Sequence, residues 1–434
     1  MRIAKNKAIP TSRIARASQL GGFVAKLAGN VLLDSSKSLL KGEKLSTSEL
    51  LLTPANIKNL TEKLAQMRGA AMKLGQIISM DSGDLLPKEL ADILSKLQDN
   101  AYHMPHKQLV SALENSLGKN WIDKFAYFNL TPFASASIGQ VHLAHDEVGR
   151  KLAVKVQYPG VSDAIESDVD NLGTLLKASR LVPKHIDINP LLSEAKKQLS
   201  QEADYLFEAS ASESFSKHLN KQLFSLPVAQ PDSNKQVLIM SYIEGAPLSS
   251  LEALPQDERN SIVLDLFRLF FNELFNIKLM QTDPNFANYV YCIEEKKIGL
   301  LDFGATRTIS ESISNGYKQL LISLVKHSEH ETITAAKAIG FFQDSISETY
   351  LQHILMLFEL ASTPIRIEHD YDFASCDLPN QIRGHVMEIK NHQAQWHSPP
   401  IDAIFIHRKI VGLYLIAKKL KSKVNVHNLI KEFI

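Results

Sequence analysis

Apolar residues recur every three or four positions through the first quarter of the chain. Leu60, Leu64, Met67, Ala71, Leu74 and Ile78 form one stripe, the spacing of a helix with a single buried face. Thr53-Pro54 offers an N-cap and a proline at the first helical position. Pro87 opens a second helix, with Leu90, Ile93, Leu94 and Leu97 inward, and Pro105 opens a third that ends near Gly118. Lys73 and Gln76 are three apart and share a face beside the first stripe. Taken alone they read as solvated surface. Gly69 and Gly75 each cost about 1 kcal/mol relative to alanine inside a helix, so a close approach to the backbone is expected there.

From about residue 127 the period changes. Val141 and Leu143, then Leu152, Val154 and Val156, alternate with polar or small residues as strands do, and Asp146 to Arg150 makes the turn between them. Helical spacing returns over 162–180 and again over 189–219, where Asn189-Pro190 is the start signal. Val237-Leu238-Ile239-Met240 is an apolar strand. It runs into Tyr242-Ile243-Glu244-Gly245, a hinge at which an adenine would bond the backbone. A short hairpin is expected from Tyr289 to Cys292 and Ile298 to Leu301, turning at Glu294–Lys297, followed by Asp302-Phe303-Gly304, then Ala305-Thr306-Arg307 and a helical pattern.

Composition narrows the class. The 434 residues are 44% hydrophobic and 22% charged, ordinary for a globular chain of two or three domains. The net charge of +1 argues against nucleic acid as a partner. Two cysteines, Cys292 and Cys376, exclude a disulfide scaffold and fit a reducing compartment. No run of about 18 apolar residues predicts a membrane span, and no secretory signal is expected. The charge is uneven: nine basic residues against two acidic ones give residues 1–45 a net +7 and leave −6 for the rest. With Ile14, Leu20, Phe23, Val24, Leu27, Val31 and Leu32 at roughly helical spacing, this arm reads either as an amphipathic helix for an anionic membrane surface or as a helix packed on its own domain.

Several residue sets carry chemistry. Ala134-Ser135-Ala136-Ser137 leads into a strand with side chains small enough for backbone N–H groups to reach a phosphate. Leu152-Ala153-Val154-Lys155 ends in a lysine, as does the strand whose lysine pairs with nucleotide phosphates in kinases. Glu202, Asp204 and Glu208 follow on the long helical stretch. Asp204 and Glu208 share a face there, whereas Glu202 lies about 200° from Asp204 on an ideal helix. An acid on this stretch could hold Lys155, as the helix-C glutamate does in kinases. Asp283 stands five residues before Asn288, the spacing of a catalytic loop in which the aspartate orients the acceptor or takes its proton and the asparagine binds Mg²⁺. Asp302 opens the D-F-G in which the aspartate binds the metal that bridges the phosphates. The order lysine strand, D-x-x-x-x-N, hairpin, D-F-G is specific where each part alone is weak.

Lys73-Leu74-Gly75-Gln76, Ala134 to Ser137, Lys155, Glu202-Ala203-Asp204, Asp283-Pro284 with Asn288, and Asp302-Phe303-Gly304 together resemble the UbiB/AarF family of atypical protein-kinase-like proteins that support coenzyme Q (ubiquinone) biosynthesis. The resemblance covers about residues 50–430, including Phe405-Ile406-His407-Arg408-Lys409, which looks like the family's closing helix. It implies an α+β, two-lobed protein-kinase-like fold with a small sheet-containing N-lobe, a helical C-lobe and an N-terminal helical extension. The boundaries then fall at 1–45 (basic arm), 46–118 (extension), 119–241 (N-lobe) and 242–434 (C-lobe). It implies that Lys155 pairs with Glu208, that the Lys73/Gln76 helix folds over the site and meets Glu202 or Asp204, that Asp283 is the catalytic-loop aspartate, and that Asn288 and Asp302 hold Mg²⁺. Ala134 to Ser137, Met240 and Tyr242 would line the site of ATP or ADP. Ser135 interrupts the family's alanine run. The hydrophobic C-terminal spans of the bacterial UbiB type are not expected here, which points to the soluble or peripheral branch at the inner face of a membrane.

No long activation segment or A-P-E follows Gly304, so a protein substrate lacks its usual platform. An ATPase, or a kinase for a small or lipid-like molecule, is expected. The alternatives are a nucleotide-gated, non-catalytic scaffold for quinone-precursor lipids or their biosynthetic enzymes, and an aminoglycoside-type phosphotransferase, which lacks the Lys73–Gln76 element. A homodimer is compatible with either.

Overall fold

The computed structural model describes Lys73 and residues 103–178, 188–342, 346–375, 377–378, 380–382, 384–385 and 399–434. The basic arm, Gln76 and the helices expected around 60–78 and 87–97, Lys73 apart, lie outside the described residues. The chain divides into two compact units: residues up to 209 with 228–242, and residues 210–227 with 243–434.

In the first unit, helix α1 (His106–Leu117) starts after Pro105 and stops at Gly118, which has φ +91°. The sheet is antiparallel, in the order β1 (Tyr127–Phe128), β3 (Gly139–His145), β4 (Lys151–Gln157), β6 (Val237–Ser241), with β2 (Ala134–Ser135) also on β3. The β3–β4 turn closes because Gly149 takes φ +82° and Asp146 Oδ1 accepts the amides of Val148 and Arg150 at 3.2 and 2.8 Å. Alternation sorts the strands into two faces. Leu152, Val154, Val156, Val237 and Ile239 pack with Leu109, Leu113 and Trp121. Ala153, Leu238 and Met240 pack with Tyr205 on the other face, and Lys155 shares the parity of Ala153.

The helical stretch expected over 189–219 is not continuous. Helix α3 (Asn189–Glu202) ends and α4 (Tyr205–His218) begins anew; α2 (Val161–Ala178) precedes them. Groups distant in sequence satisfy the break. Gln157 donates to the Ala203 carbonyl at 2.8 Å, the Tyr205 amide donates to the Lys235 carbonyl, and Asp204 Oδ1 accepts from the Leu206 amide at 3.1 Å. The angle of about 200° between Glu202 and Asp204 that one helix would impose therefore does not apply, whereas Asp204 caps the helix that carries Glu208, whose amide donates to the Asp204 carbonyl.

The second unit holds a sheet ordered β5 (Phe224–Ser225), β10 (Lys297–Leu300), β9 (Tyr289–Cys292), β7 (Ala246–Pro247); the β5–β10 pair is parallel and the others antiparallel. Helix α5 (Gln256–Phe271) runs into a π-helical stretch, Asn272–Ile277, that Lys278 ends with φ +53°. Strands β8 (Leu279–Gln281) and β11 (Thr306–Thr308) pair antiparallel. Then come α6 (Glu311–Val325), α7 (Glu329–Ile339), α8 (Glu348–Ala361) and α9 (Thr363–Arg366). Ser310, Ser328 and Ser347 accept the N-terminal amides of the first three. The strand pair β12 (Tyr371–Asp372) and β13 (Lys423–Val424), with α10 (Ile401–Lys419) and α11 (Val426–Ile430), completes the unit. Phe267, Phe270, Phe271, Phe303 and Leu413 lie in its core. Among the described residues no helix is long and apolar enough to cross a membrane. The architecture is the expected α+β one, a small sheet-bearing unit and a mostly helical unit.

Candidate active site

In the first unit the centre is Lys155. Its Nζ lies 2.9 and 2.8 Å from the two Glu208 oxygens and 5.2 Å from the Tyr205 ring centre. The lysine is 6% exposed and the glutamate 3%, so each is the counter-charge that makes burial of the other tolerable. Glu208 occupies the first turn of α4, where the helix dipole favours an acid.

The small-residue segment forms a tight turn. Ala134 and Ser135 pair with Val141 and Gln140, and the Ala136 amide donates to the Gly139 carbonyl at 3.0 Å. Gly139 must be glycine, because a Cβ there would stand 2.5 Å from the Val156 carbonyl oxygen and 2.6 Å from Tyr205 Oη. Ser137 Oγ donates to Glu202 Oε2 at 2.5 Å, and the other Glu202 oxygen takes Lys73 Nζ. Lys73 is helical and 2% exposed, so the surface reading of this residue is overturned. Of the two candidate partners, Lys73 meets Glu202. Asp204 instead pairs with the exposed Lys235 at 3.1 Å. Met240 is buried on β6, and the Tyr242 amide donates to the Lys151 carbonyl.

In the second unit, Asn285 caps a short 3₁₀ turn, Phe286–Asn288, accepting the Ala287 amide at 3.0 Å. That turn returns Asn288 to Asp283: its Nδ2 lies 3.0 Å from the Asp283 carbonyl and 3.3 Å from Asp283 Oδ2. Asp302 follows β10 and its Oδ1 accepts the Gly304 amide at 2.9 Å. Phe303, 1% exposed, is anchored against Phe215 with ring centres 5.1 Å apart. The two loops are joined directly. The Thr282 amide and hydroxyl both donate to the Ala305 carbonyl, and the Leu301 amide donates to the Asn288 carbonyl.

Sequence reasoning missed the residues that support Asp283. Arg408 Nη2 donates to Asp283 Oδ1 at 2.8 Å. Lys409 Nζ reaches Glu273 Oε1 and Oε2 at 2.8 and 2.6 Å and the Gln281 carbonyl at 2.7 Å. Burial pushes the Glu273 carboxyl up and the Lys409 ammonium opposes this; burial pushes Lys409 down and Glu273 opposes that. Burial, reinforced by the charges of Glu273 and Asp283, pushes the Tyr289 hydroxyl far above the ordinary tyrosine range. The only signal was the motif from Phe405 to Lys409, read as a closing helix.

The donors fit a hard cation. The amide hydrogens of Asn288 go to Asp283, so its oxygen is the atom that would ligate a cation, together with the Asp302 carboxylate. Gln281 Oε1 and Tyr289 Oη, buried without a protein partner, line the same small cleft as Asn288 and Asp302, polar surface suited to a hydrated ion. Among the described residues no cluster of three or more His, Cys, Asp or Glu could hold a metal alone. Mg²⁺ takes one or two protein carboxylates and completes its shell with phosphates and water, a demand that the Asp302 carboxylate and the Asn288 oxygen would suit.

Residues 96–336 match the ABC1 atypical kinase-like domain. The chain is 34% identical to the mitochondrial atypical kinase COQ8 of Saccharomyces cerevisiae over 99% of its own length and 86% of that protein's. It is 32% identical to the mitochondrial atypical kinase COQ8B of Rattus norvegicus, over 99% and 82%. Among solved structures, the Rv3197–erythromycin complex from Mycobacterium tuberculosis superposes with a TM-score of 0.61 at 25% identity, covering 89% of this chain and 97% of that one.

Proposed function

Because the chain belongs to the ABC1 atypical kinase-like family and is a kinase/ATPase-type enzyme of ubiquinone biosynthesis, we propose that it binds ATP with Mg²⁺ and uses it in hydrolysis or to phosphorylate a small or lipid-like hydroxyl. The observation that carries this reading is the joined pair of loops, with Asn288 bonded to Asp283 and Thr282 bonded to Ala305 just past Asp302. Asn288 and Asp302 hold the metal. When bound, the ion neutralises charge on the phosphate oxygens.

The chain's own groups do the rest. Lys155, aimed by Glu208, takes the nucleotide phosphates. The turn at Ala134 to Ser137 offers backbone N–H groups other than that of Ala136, which bonds Gly139, to them, and Met240 and Tyr242, whose amide bonds Lys151, line the adenine site. Asp283 orients the attacking hydroxyl or water and accepts its proton, while Asn288 and Arg408 fix its two oxygens. Only Ala305 to Ser310 separates the D-F-G from the next helix, too short for a peptide-docking segment, which favours a small or lipid-like acceptor. The basic arm brings the protein to an anionic membrane surface where quinone-precursor lipids reside.

Purified protein is expected to hydrolyse ATP with Mg²⁺, faster with vesicles of anionic lipid, and Asp302→Asn to abolish turnover. Equal hydrolysis by variant and wild type would refute the reading.

A further inference from the structure

Helix α10 addresses the catalytic loop through consecutive residues. Arg408 bonds the Asp283 side chain at 2.8 Å. Lys409 bonds the backbone carbonyl of Gln281 at 2.7 Å, and its partner Glu273 accepts the Gln281 amide at 3.3 Å. Both backbone groups of the residue two before Asp283 are therefore held by one buried ion pair. Gln281 itself donates to the Asp283 carbonyl at 2.8 Å. One turn beyond Arg408, on the same face, Gly412 lets the Pro284 ring lie on the helix; a Cβ there would stand 2.3 Å from Pro284 Cβ. At the start of α10, Asp402 bonds Arg307 at 2.5 Å and the Arg307 guanidinium lies 5.0 Å from the Phe405 ring centre. Arg307 belongs to β11, the strand that follows the Asp302 loop.

A stabilising helix would need apolar contact only. Here a guanidinium and an ammonium are placed where they cost desolvation unless their geometry is good, and both are aimed at the three residues Gln281 to Asp283. We propose that α10 holds the catalytic loop in its working geometry, with Arg408 and Lys409 as positioning residues for Asp283, so that this site is assembled without a phosphorylated activation segment. The proposal rests on the role given to Asp283 under the proposed function.

The test compares wild type, Arg408→Ala, Arg408→Lys and Lys409→Met, with Lys419→Ala as control; Lys419 lies on the same helix and pairs at the surface with Glu252. In Mg–ATP hydrolysis, Arg408→Ala lowers kcat by about 10- to 100-fold, the loss expected from a misplacement near 1 Å. KM for ATP stays near the wild-type value, Arg408→Lys recovers part of the loss, and Lys419→Ala matches wild type. In amide hydrogen exchange on the full chain without nucleotide, Arg408→Ala and Lys409→Met speed exchange at residues 281–288, and Lys419→Ala does not. Wild-type kcat in Arg408→Ala, a kcat loss with no recovery in Arg408→Lys, or unchanged exchange over 281–288 in both variants would each overturn the proposal. If wild type itself hydrolyses no ATP, the proposed function falls and the exchange measurement alone decides the role of α10.

Discussion

Replacing Lys409 by Met isolates what the buried ion pair contributes to folding. Glu273 is 0% exposed and Lys409 1%, so the variant leaves a carboxylate in the core with its cation gone. Breaking such a pair from one side costs about 3–5 kcal/mol, about a fifth or more of a typical domain's 5–15 kcal/mol. For a unit of this size each kcal/mol moves the midpoint by about 2–4 °C, so Tm falls by about 6–20 °C. The double variant Lys409→Met/Glu273→Leu removes both charges. It recovers most of that loss but stays about 1–3 kcal/mol below wild type, because the Gln281 amide and carbonyl lose their partners. The deficit of the single variant also depends on pH. Burial already raises the Glu273 carboxyl above 4.5, with Lys409 as the chief opposing influence; without it, the folded state binds the Glu273 proton still more readily than the unfolded state does. Stability therefore falls as pH rises through that window, and the gap to wild type is smaller at pH 5 than at pH 8. Urea unfolding followed by far-UV circular dichroism at both pH values measures all three quantities. A single variant within about 1 kcal/mol of wild type, or a double variant no more stable than the single one, would refute the reasoning.

Two further outcomes follow from the first unit. His142 is 0% exposed; burial lowers it from 6.5 to about 4 against the Asn129 carbonyl that opposes the shift, so the unfolded chain protonates first and about 2 kcal/mol of stability is lost between pH 7 and pH 5. His142→Gln removes that share of the pH dependence, and equal urea-midpoint shifts in variant and wild type would contradict it. Glu202→Gln, which leaves the buried Lys73 ammonium without its counter-charge, costs about 3 kcal/mol or more, whereas Ser137→Ala, which removes one hydroxyl donor to the same carboxylate, costs about 1 kcal/mol; the reverse order in thermal melts would show that Glu202 serves the turn rather than the lysine.

Much of the fold was legible because local rules and tertiary demands agree. Pro105 and Gly118 bound α1, Asp146 and Gly149 close the β3–β4 turn, and the alternation over 152–156 sorts two buried faces of one sheet. The break between α3 and α4 was not legible, since nothing at Ala203-Asp204 forbids a helix. It exists because Gln157 and Lys235, dozens of residues away, satisfy the backbone groups a helix would otherwise pair, and because Tyr205 goes into the core at 1% exposed. Lys73 failed for a related reason. Its own helix gives no sign of Glu202, 129 residues on, so a paired buried lysine looks like a solvated one.

The candidate site divides along the same line. Asp283, Asn288 and Asp302 are legible because metal and proton chemistry restricts the residue types, and a loop and a hairpin restrict their spacing. Arg408, Lys409 and Glu273 act at a distance of 125 to 136 residues from their partners, and no spacing rule connects a helix near the C-terminus to a strand that precedes the loop. Many sequences could place a cation there, so chemistry alone does not select one. What selects these two is the register of α10: Gly412 admits Pro284 against the helix backbone, and that contact fixes the rotation at which residue 408 meets the Asp283 carboxylate and residue 409 the Gln281 carbonyl. A side chain at 412 would have to push the loop away from both, and for that reason the glycine, which performs no chemistry, belongs to the site as much as the arginine does.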